Sequence, residues 1–317
     1  MSGQLDIVDI HTHLWPPAWG PGGKYEKKSF GFSDEIYRKI TTPQALVDEF
    51  AAAGVSLAIV SATIESLFGA EGPVDRTLIP GVNDWLAELT ASHPALAAFA
   101  TIDAFAGDEA AREAERAIVD LGLAGLVIDS SRDGRFLGDP AVRPVLDAAA
   151  RLKVPVFVHP VAHPDAEPLI AGAGALGNSL GRGLMNGVAL LSVLKAGILE
   201  ALPDLHLVFA TLGVGAIVQA SRGGLFGPEA WAQGKRPNVY FDTMGSDPRI
   251  IRVLADFFGA DRVVAGTDWP ILPALTGPTL TESLARSGLP DADRQLLAGG
   301  NARRLLGLRT RRAEAAE

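Results

Sequence analysis

The chain has no cysteine among its 317 residues. Disulfides and thiolate metal ligands are therefore excluded. No apolar run reaches the ~18 residues that a membrane-spanning helix needs. The opening residues, MSGQLD, lack the basic and apolar pattern of a secretory signal. The expectation is a cytoplasmic protein with no membrane partner. Positive charge is also scarce: 28 Lys and Arg stand against 37 Asp and Glu, for a net charge of −9. Nothing in that balance resembles a nucleic-acid footprint. The one basic cluster, RLLGLRTRR at 304–312, reads as a helix end and a solvated tail, where cations suit the helix dipole. No linker or low-complexity stretch interrupts the chain, so one domain is expected over 1–317.

What is present is alternation. Apolar, β-rich runs occur at 5–13, 55–63, 96–103, 123–131, 154–160, 205–213, 238–244 and 262–270. Most are nearly continuous, as parallel strands buried on both faces should be. Helical patterns fill the gaps at 42–54, 83–93, 108–122, 140–152, 187–202 and 247–259. A closing helix follows, with a glycine break at 299–300. This succession predicts an α/β fold, a (β/α)8 TIM barrel. An open doubly wound sheet is the alternative, weakened because no GxGxxG follows the first strand. Two inserts stand out, at about 14–41 and at about 161–183, the second glycine-rich. Both follow strands on the C-terminal side, where barrel active sites are built.

The polar residues at strand ends are the candidates for chemistry. The first strand ends in DIHTHLWPP, and residues two apart on a strand share a face. His11 and His13 then point the same way, into the barrel mouth. His159 ends the fifth strand and Asp268 the eighth. Three imidazoles and one carboxylate suit zinc, manganese or iron(II). One histidine alone is more often structural; four such groups at C-terminal strand ends are not. The fourth strand, LVIDSS, offers no lysine to bridge a second metal, and Lys153 lies at the wrong end of the fifth. One divalent metal is expected, with zinc the first choice and manganese the second.

Together these residues resemble the amidohydrolase superfamily, in its amidohydrolase-related branch. That branch includes aminocarboxymuconate semialdehyde decarboxylase and the resorcylate decarboxylases. The motifs are DIHTHLWPP, GLAGLVID, DPAVRPVLDAAARLKVPVFVHP, LPDLHLVFATLG, NVYFDT and GADRVVAGTDWP. The resemblance implies His11, His13, His159 and Asp268 as metal ligands, with Asp268 also moving a proton. It implies a C–C lyase that decarboxylates a small unsaturated or aromatic acid, and a homodimer. Hydrolysis of an ester, lactone or amide is the alternative. A barrel subunit that keeps the metal without turnover is a third reading.

One position departs from the family pattern. Its usual histidine at the end of the sixth strand is Thr211 here, in FATLGVG. Threonine donates a hydrogen bond but is no base near neutral pH. His163, in HPVAHPD, could take over as the catalytic group, or it could simply cap a loop. Arg222, in QASRGGLF, lies near the place of a substrate arginine in family decarboxylases, and its fork suits a carboxylate. Arg132 is a second choice. Trp15 and Trp19 either wall the substrate or pack an insert or a dimer contact. Trp269 is expected to support Asp268. Asp242 either orients a metal-bound histidine or caps a helix near Thr243. His93 and His206 lie at the far face and read as structural.

Overall fold

The computed structural model describes residues 5–26, 32–174, 176–210, 237–244, 247–271 and 277–308. Eight strands make the wall: β1 (Ile7–His13), β2 (Val55–Ser61), β3 (Leu96–Thr101), β4 (Gly125–Asp129), β5 (Pro155–His159), β6 (His206–Phe209), β7 (Val239–Asp242) and β8 (Val263–Val264). Each pairs in parallel with the next. The last returns to the first. Ile10 N–H donates to Ala265 O at 2.9 Å, and Asp268 N–H donates to His11 O at 2.8 Å. Thr12 faces Trp269 in parallel register. The sheet is closed, so the fold is a (β/α)8 barrel and not an open doubly wound sheet.

Alternation along the strands fills the barrel in layers. Val8, Ile10, Ile59, Phe99, Val127, Phe157, Val208, Tyr240 and Val264 form one buried cluster. Ala302 and Leu305, from the closing helix Asn301–Leu305, pack against it from the N-terminal end of the strands. Two residues further along their strands come Ser61, Asp129, His159 and Asp242. A polar layer thus sits above an apolar plug, at the C-terminal ends of the strands.

The helices around the wall begin as their sequence predicts. Pro43, Pro140, Pro144 and Pro248 each occupy a first or second helical position, where the missing N–H removes no helical bond. The helix expected over 83–93 starts earlier, at Ile79. The insert at 14–41 contributes the helix Asp34–Ile40, capped by Ser33, whose hydroxyl accepts from Ile36 N–H.

The glycine-rich insert differs most from expectation. It folds as two helices, Ala166–Ala173 and Leu176–Lys195. Glycine lowers helix propensity, which hides these helices in the sequence. The structure gives one reason for it. A Cβ on Gly177 would lie 2.5 Å from Leu169 O and Ile170 Cα, so glycine lets the two helices cross closely. The helix expected over 187–202 is the end of Leu176–Lys195. It breaks at left-handed Gly197 and resumes as Ile198–Ala201. The glycine break at 299–300 falls in a wide helical turn, Leu296–Gly300. A Cβ on Gly299 would meet Asp6 O at 2.2 Å, so this turn presses on the start of β1.

Candidate metal centre

The side chains of His11, His13, His159 and Asp268 converge at the mouth, with one ligand atom from each lying within 4.8 Å of the others. They come from β1, from β5 and from the segment after β8, far apart in sequence. For β1 the convergence needs more than alternation. Register against β2 slips between Asp9 and Thr12. Val8 and Ile10 belong to the inner cluster below, yet His11 and His13 face inward above. Such an irregularity re-phases a strand and re-aims side chains.

Asp268 follows β8 on a left-handed backbone, with φ at 60°. A non-glycine residue there is strained by about 1–3 kcal/mol. Its own amide and carbonyl are both bonded, to His11 O and from Ile271 N–H. Its Oδ1 lies 3.1 Å from His13 Nε2 and 3.4 Å from His11 Nε2. Trp269 is fully buried, and its indole N–H donates to Glu49 at 2.8 Å.

The second nitrogens of the β1 histidines are held. His11 Nδ1–H donates to Asp242 Oδ2 at 2.6 Å. Asp242 thus orients the His11 ring, and the helix that follows is capped by Asp247 instead. Gly266 leaves room for this pair: a Cβ there would sit 3.0 Å from Asp242 Oδ2 and His11 Cβ. His13 Nδ1 faces Ser61, 3.1 Å from its hydroxyl. Asp9 joins β1 to the residues after β8, accepting from Thr267 Oγ1 at 2.6 Å and from the amides of Thr267 and His11.

The electrostatics are those of a site with surplus negative charge. Burial opposes the His11 imidazolium, but Asp242 and Asp268 overcome it and push its pKa up to about 9. Burial raises Asp9 to about 7, against the pull of its hydrogen bonds from Thr267 and His11. His159 is held well below its ordinary value by burial and by the neighbouring His13, His11 and Arg182. It is a neutral imidazole, the form that binds metal. His11 Nε2 and His159 Nδ1 are buried without a hydrogen bond. Two orphaned imidazole nitrogens beside a carboxylate fit a divalent cation.

Other candidates fall elsewhere. His163 is half-buried, and its Nδ1 accepts from Asp165 N–H at 3.0 Å, closing a turn. It is not among the four convergent groups. Trp15 is buried and packs on Phe32 and Tyr37 of its own insert. Trp19 stacks near Tyr25. Arg132 is 3% exposed and donates to Gly69 O and Gly72 O, so its fork holds backbone. His93 caps a helix through Leu89 O, and His206 meets the Tyr240 hydroxyl. Thr211 and Arg222 lie outside the described residues.

Three charged residues at the mouth were not singled out from sequence: Glu65, Asp129 and Arg182. Asp129 ends the apolar run LVID on β4, a pattern like that of His159 on β5, so a signal was present. Glu65 lies just beyond β2, within a short helix capped by Thr63. Arg182 sits in the glycine-rich insert and carries no local signal.

A family model described as amidohydrolase matches residues 8–308. Among curated proteins, the 2-amino-3-carboxymuconate-6-semialdehyde decarboxylase of Dictyostelium discoideum is 25% identical, covering 95% of this chain and 91% of that one. The gamma-resorcylate decarboxylase of a Polaromonas species is 27% identical, covering 71% and 75%. Among solved structures, 5-carboxyvanillate decarboxylase from Sphingomonas paucimobilis superposes with a TM-score of 0.75 at 20% identity, covering 96% of this chain and 100% of that one. A dihydroxybenzoic acid decarboxylase from a Polaromonas species, with bound manganese and 2-nitroresorcinol, gives 0.76 at 19%, covering 97% and 99%.

Proposed function

The chain belongs to the amidohydrolase family, and on that premise we propose that it is a metal-dependent decarboxylase. The reaction is C–C lysis of a small unsaturated or aromatic carboxylic acid, carried by one barrel domain over 1–317. The observation that carries this reading is the four-donor cluster with its two orphaned imidazole nitrogens. The decarboxylase names of the similar proteins support it.

In this reading His11, His13, His159 and Asp268 hold one divalent cation. Zinc is the first expectation, and manganese is tested beside it because a structural neighbour holds that ion. When bound, the cation supplies Lewis-acid polarisation of substrate oxygens. Asp268 has a second task. As the C–C bond breaks, its electron pair stays on the substrate carbon, CO2 leaves, and the Asp268 carboxyl supplies the proton to that carbon. Arg222 forks a substrate carboxylate, Thr211 donates a hydrogen bond to a substrate oxygen, and Trp15 backs the wall on the substrate's apolar side. His163 is the second proton-transfer group, standing in for the histidine that Thr211 replaces.

A homodimer is part of the same proposal. Leu176, Leu180 and Leu184 stand four apart on one helix and are 74%, 61% and 52% exposed. An apolar stripe of that kind favours a second copy. A cytoplasmic setting belongs to the same proposal; no helix among the described residues is long and apolar enough to cross a membrane.

The test is CO2 release from metal-loaded protein over a panel of hydroxybenzoates and muconate-like acids. Release from at least one acid, lost on chelation, is the expected result. Turnover of lactones without CO2 would replace the lyase by a hydrolase.

A further inference from the structure

The three histidines are not supported alike. His11 and His13 each present Nδ1 to a side chain, Asp242 or Ser61. His159 differs: its Nδ1 is one of the two orphaned nitrogens offered to the cation, with Glu65 Oε2 4.0 Å away, and no side-chain hydrogen bond to its ring occurs among the described residues. Its ring is therefore placed by its backbone, and that backbone is pinned at successive residues. His159 O accepts from Ser130 N–H at 2.9 Å. Pro160 O accepts from Arg182 Nη1 at 2.7 Å. Val161 N–H donates to Ser130 Oγ, and Ala162 N–H donates to Glu65 Oε1 at 2.9 Å.

Glu65 and Arg182 supply two of those pins and are bonded to each other. Arg182 Nη1 and Nη2 meet Glu65 Oε2 and Oε1 at 2.7 and 2.9 Å, a two-point fork. Glu65 is 2% exposed, so Arg182 is the partner that offsets the cost of burying a carboxylate there. The residues come from different elements: Glu65 lies in the helix Ile64–Phe68 after β2, and Arg182 in the long helix Leu176–Lys195. Arg182 thus ties the insert to the chain leaving β5.

We propose that Glu65 and Arg182 form a clamp that positions His159 for the cation, and that the clamp couples cation binding to docking of the helix Leu176–Lys195 on the barrel mouth. This rests on the metal-centre reading above. Coupling of this kind is reciprocal. A bound cation fixes His159 and steadies the insert; loss of the clamp loosens the insert and weakens the cation. Neither residue touches substrate in this account; both are positioning residues.

The test uses the full chain, stripped of metal and titrated with Mn2+, with the free ion read by electron paramagnetic resonance. Arg182→Met alone leaves a buried, unpaired Glu65 and invites misfolding. The informative variant is the double Glu65→Gln/Arg182→Met, with Arg182→Lys as the conservative partner. The double variant should bind Mn2+ about 10–100-fold more weakly, while the metal-free chain keeps wild-type circular dichroism and cooperative melting. Arg182→Lys, which retains charge but not the fork, should fall between. In wild type, Mn2+ should slow hydrogen exchange over 176–190; in the double variant it should not. Wild-type Mn2+ affinity in the double variant would overturn the clamp while leaving the metal centre standing. Unchanged exchange on adding Mn2+ to wild type would overturn the coupling. If wild type takes up neither Mn2+ nor Zn2+, the metal centre falls and the clamp with it.

Discussion

On the side of the barrel mouth built from β1, β7 and β8, side chains hold side chains. Asp242 orients the His11 ring, Ser61 of neighbouring β2 faces His13, and Asp268 sits on a strained backbone whose amide and carbonyl are both bonded. On the side built from β2, β4 and β5, the candidate ligand among the described residues is His159, and its support runs through backbone and an ion pair to an insert. The first arrangement is built from the barrel wall and the turn that follows β8. The second depends on a helix pair packed outside it. The difference teaches that one metal site can be half framework and half attachment.

The largest effect should come from the framework side. On the proposed roles of Asp268, Asp268→Asn keeps the shape but removes a charged ligand and the group that moves the proton. CO2 release should fall by about 10²–10⁴-fold, the range for a lost general acid. Metal content measured on the same preparation separates the two roles. Metal retained with activity lost assigns the proton to Asp268. Full activity in the variant would remove Asp268 from the chemistry.

Next is Asp242→Ala, which frees the His11 ring without touching a ligand. Metal affinity should drop by about 10–100-fold, comparable to the loss expected for the clamp variant. The two should differ elsewhere. Hydrogen exchange over 176–190 should respond to the clamp and not to Asp242. An equal response in both would erase the distinction between framework and attachment.

The sequence exposes these two sides unequally. His11, His13, His159 and Asp268 are legible because barrel strands carry chemistry at their C-terminal ends and these residues interrupt apolar runs. The slip in β1 register is not legible: simple alternation gives the right direction for both histidines but misses that Ile10 faces inward below them. Asp242 could be read two ways from its position after VYF, and only its 2.6 Å contact with His11 decides. Arg182 is hidden for another reason. Its neighbours Gly177, Gly181 and Gly183 look like loop, whereas at least Gly177 is glycine because a helix crosses there. Its partner Glu65 is 117 residues away, and no local pattern joins them.

The smallest expected effect has the opposite sign and belongs to the attachment side. Asp129 ends β4, and both its carboxylate oxygens are buried without a hydrogen bond. Burial, then the charge of Glu65, holds its pKa well above the ordinary value, and Arg132 only partly offsets this. In the unfolded chain the group titrates near pH 4. Well below that pH it is neutral in both states and contributes nothing unfavourable. As pH rises the unfolded chain releases the proton first, so the folded state loses stability, by about 1.4 kcal/mol for each unit that separates the two pKa values. Asp129→Asn removes the charge and keeps the shape. In metal-stripped protein, urea unfolding should therefore show variant and wild type nearly alike at pH 4, and the variant the more stable at pH 8. Asp242→Ala should show no such gain, because Asp242 is matched to the His11 ring. If the gap between Asp129→Asn and wild type is the same at both pH values, Asp129 is not held as a neutral acid, and the two sides of the mouth are more alike in charge than their geometry indicates.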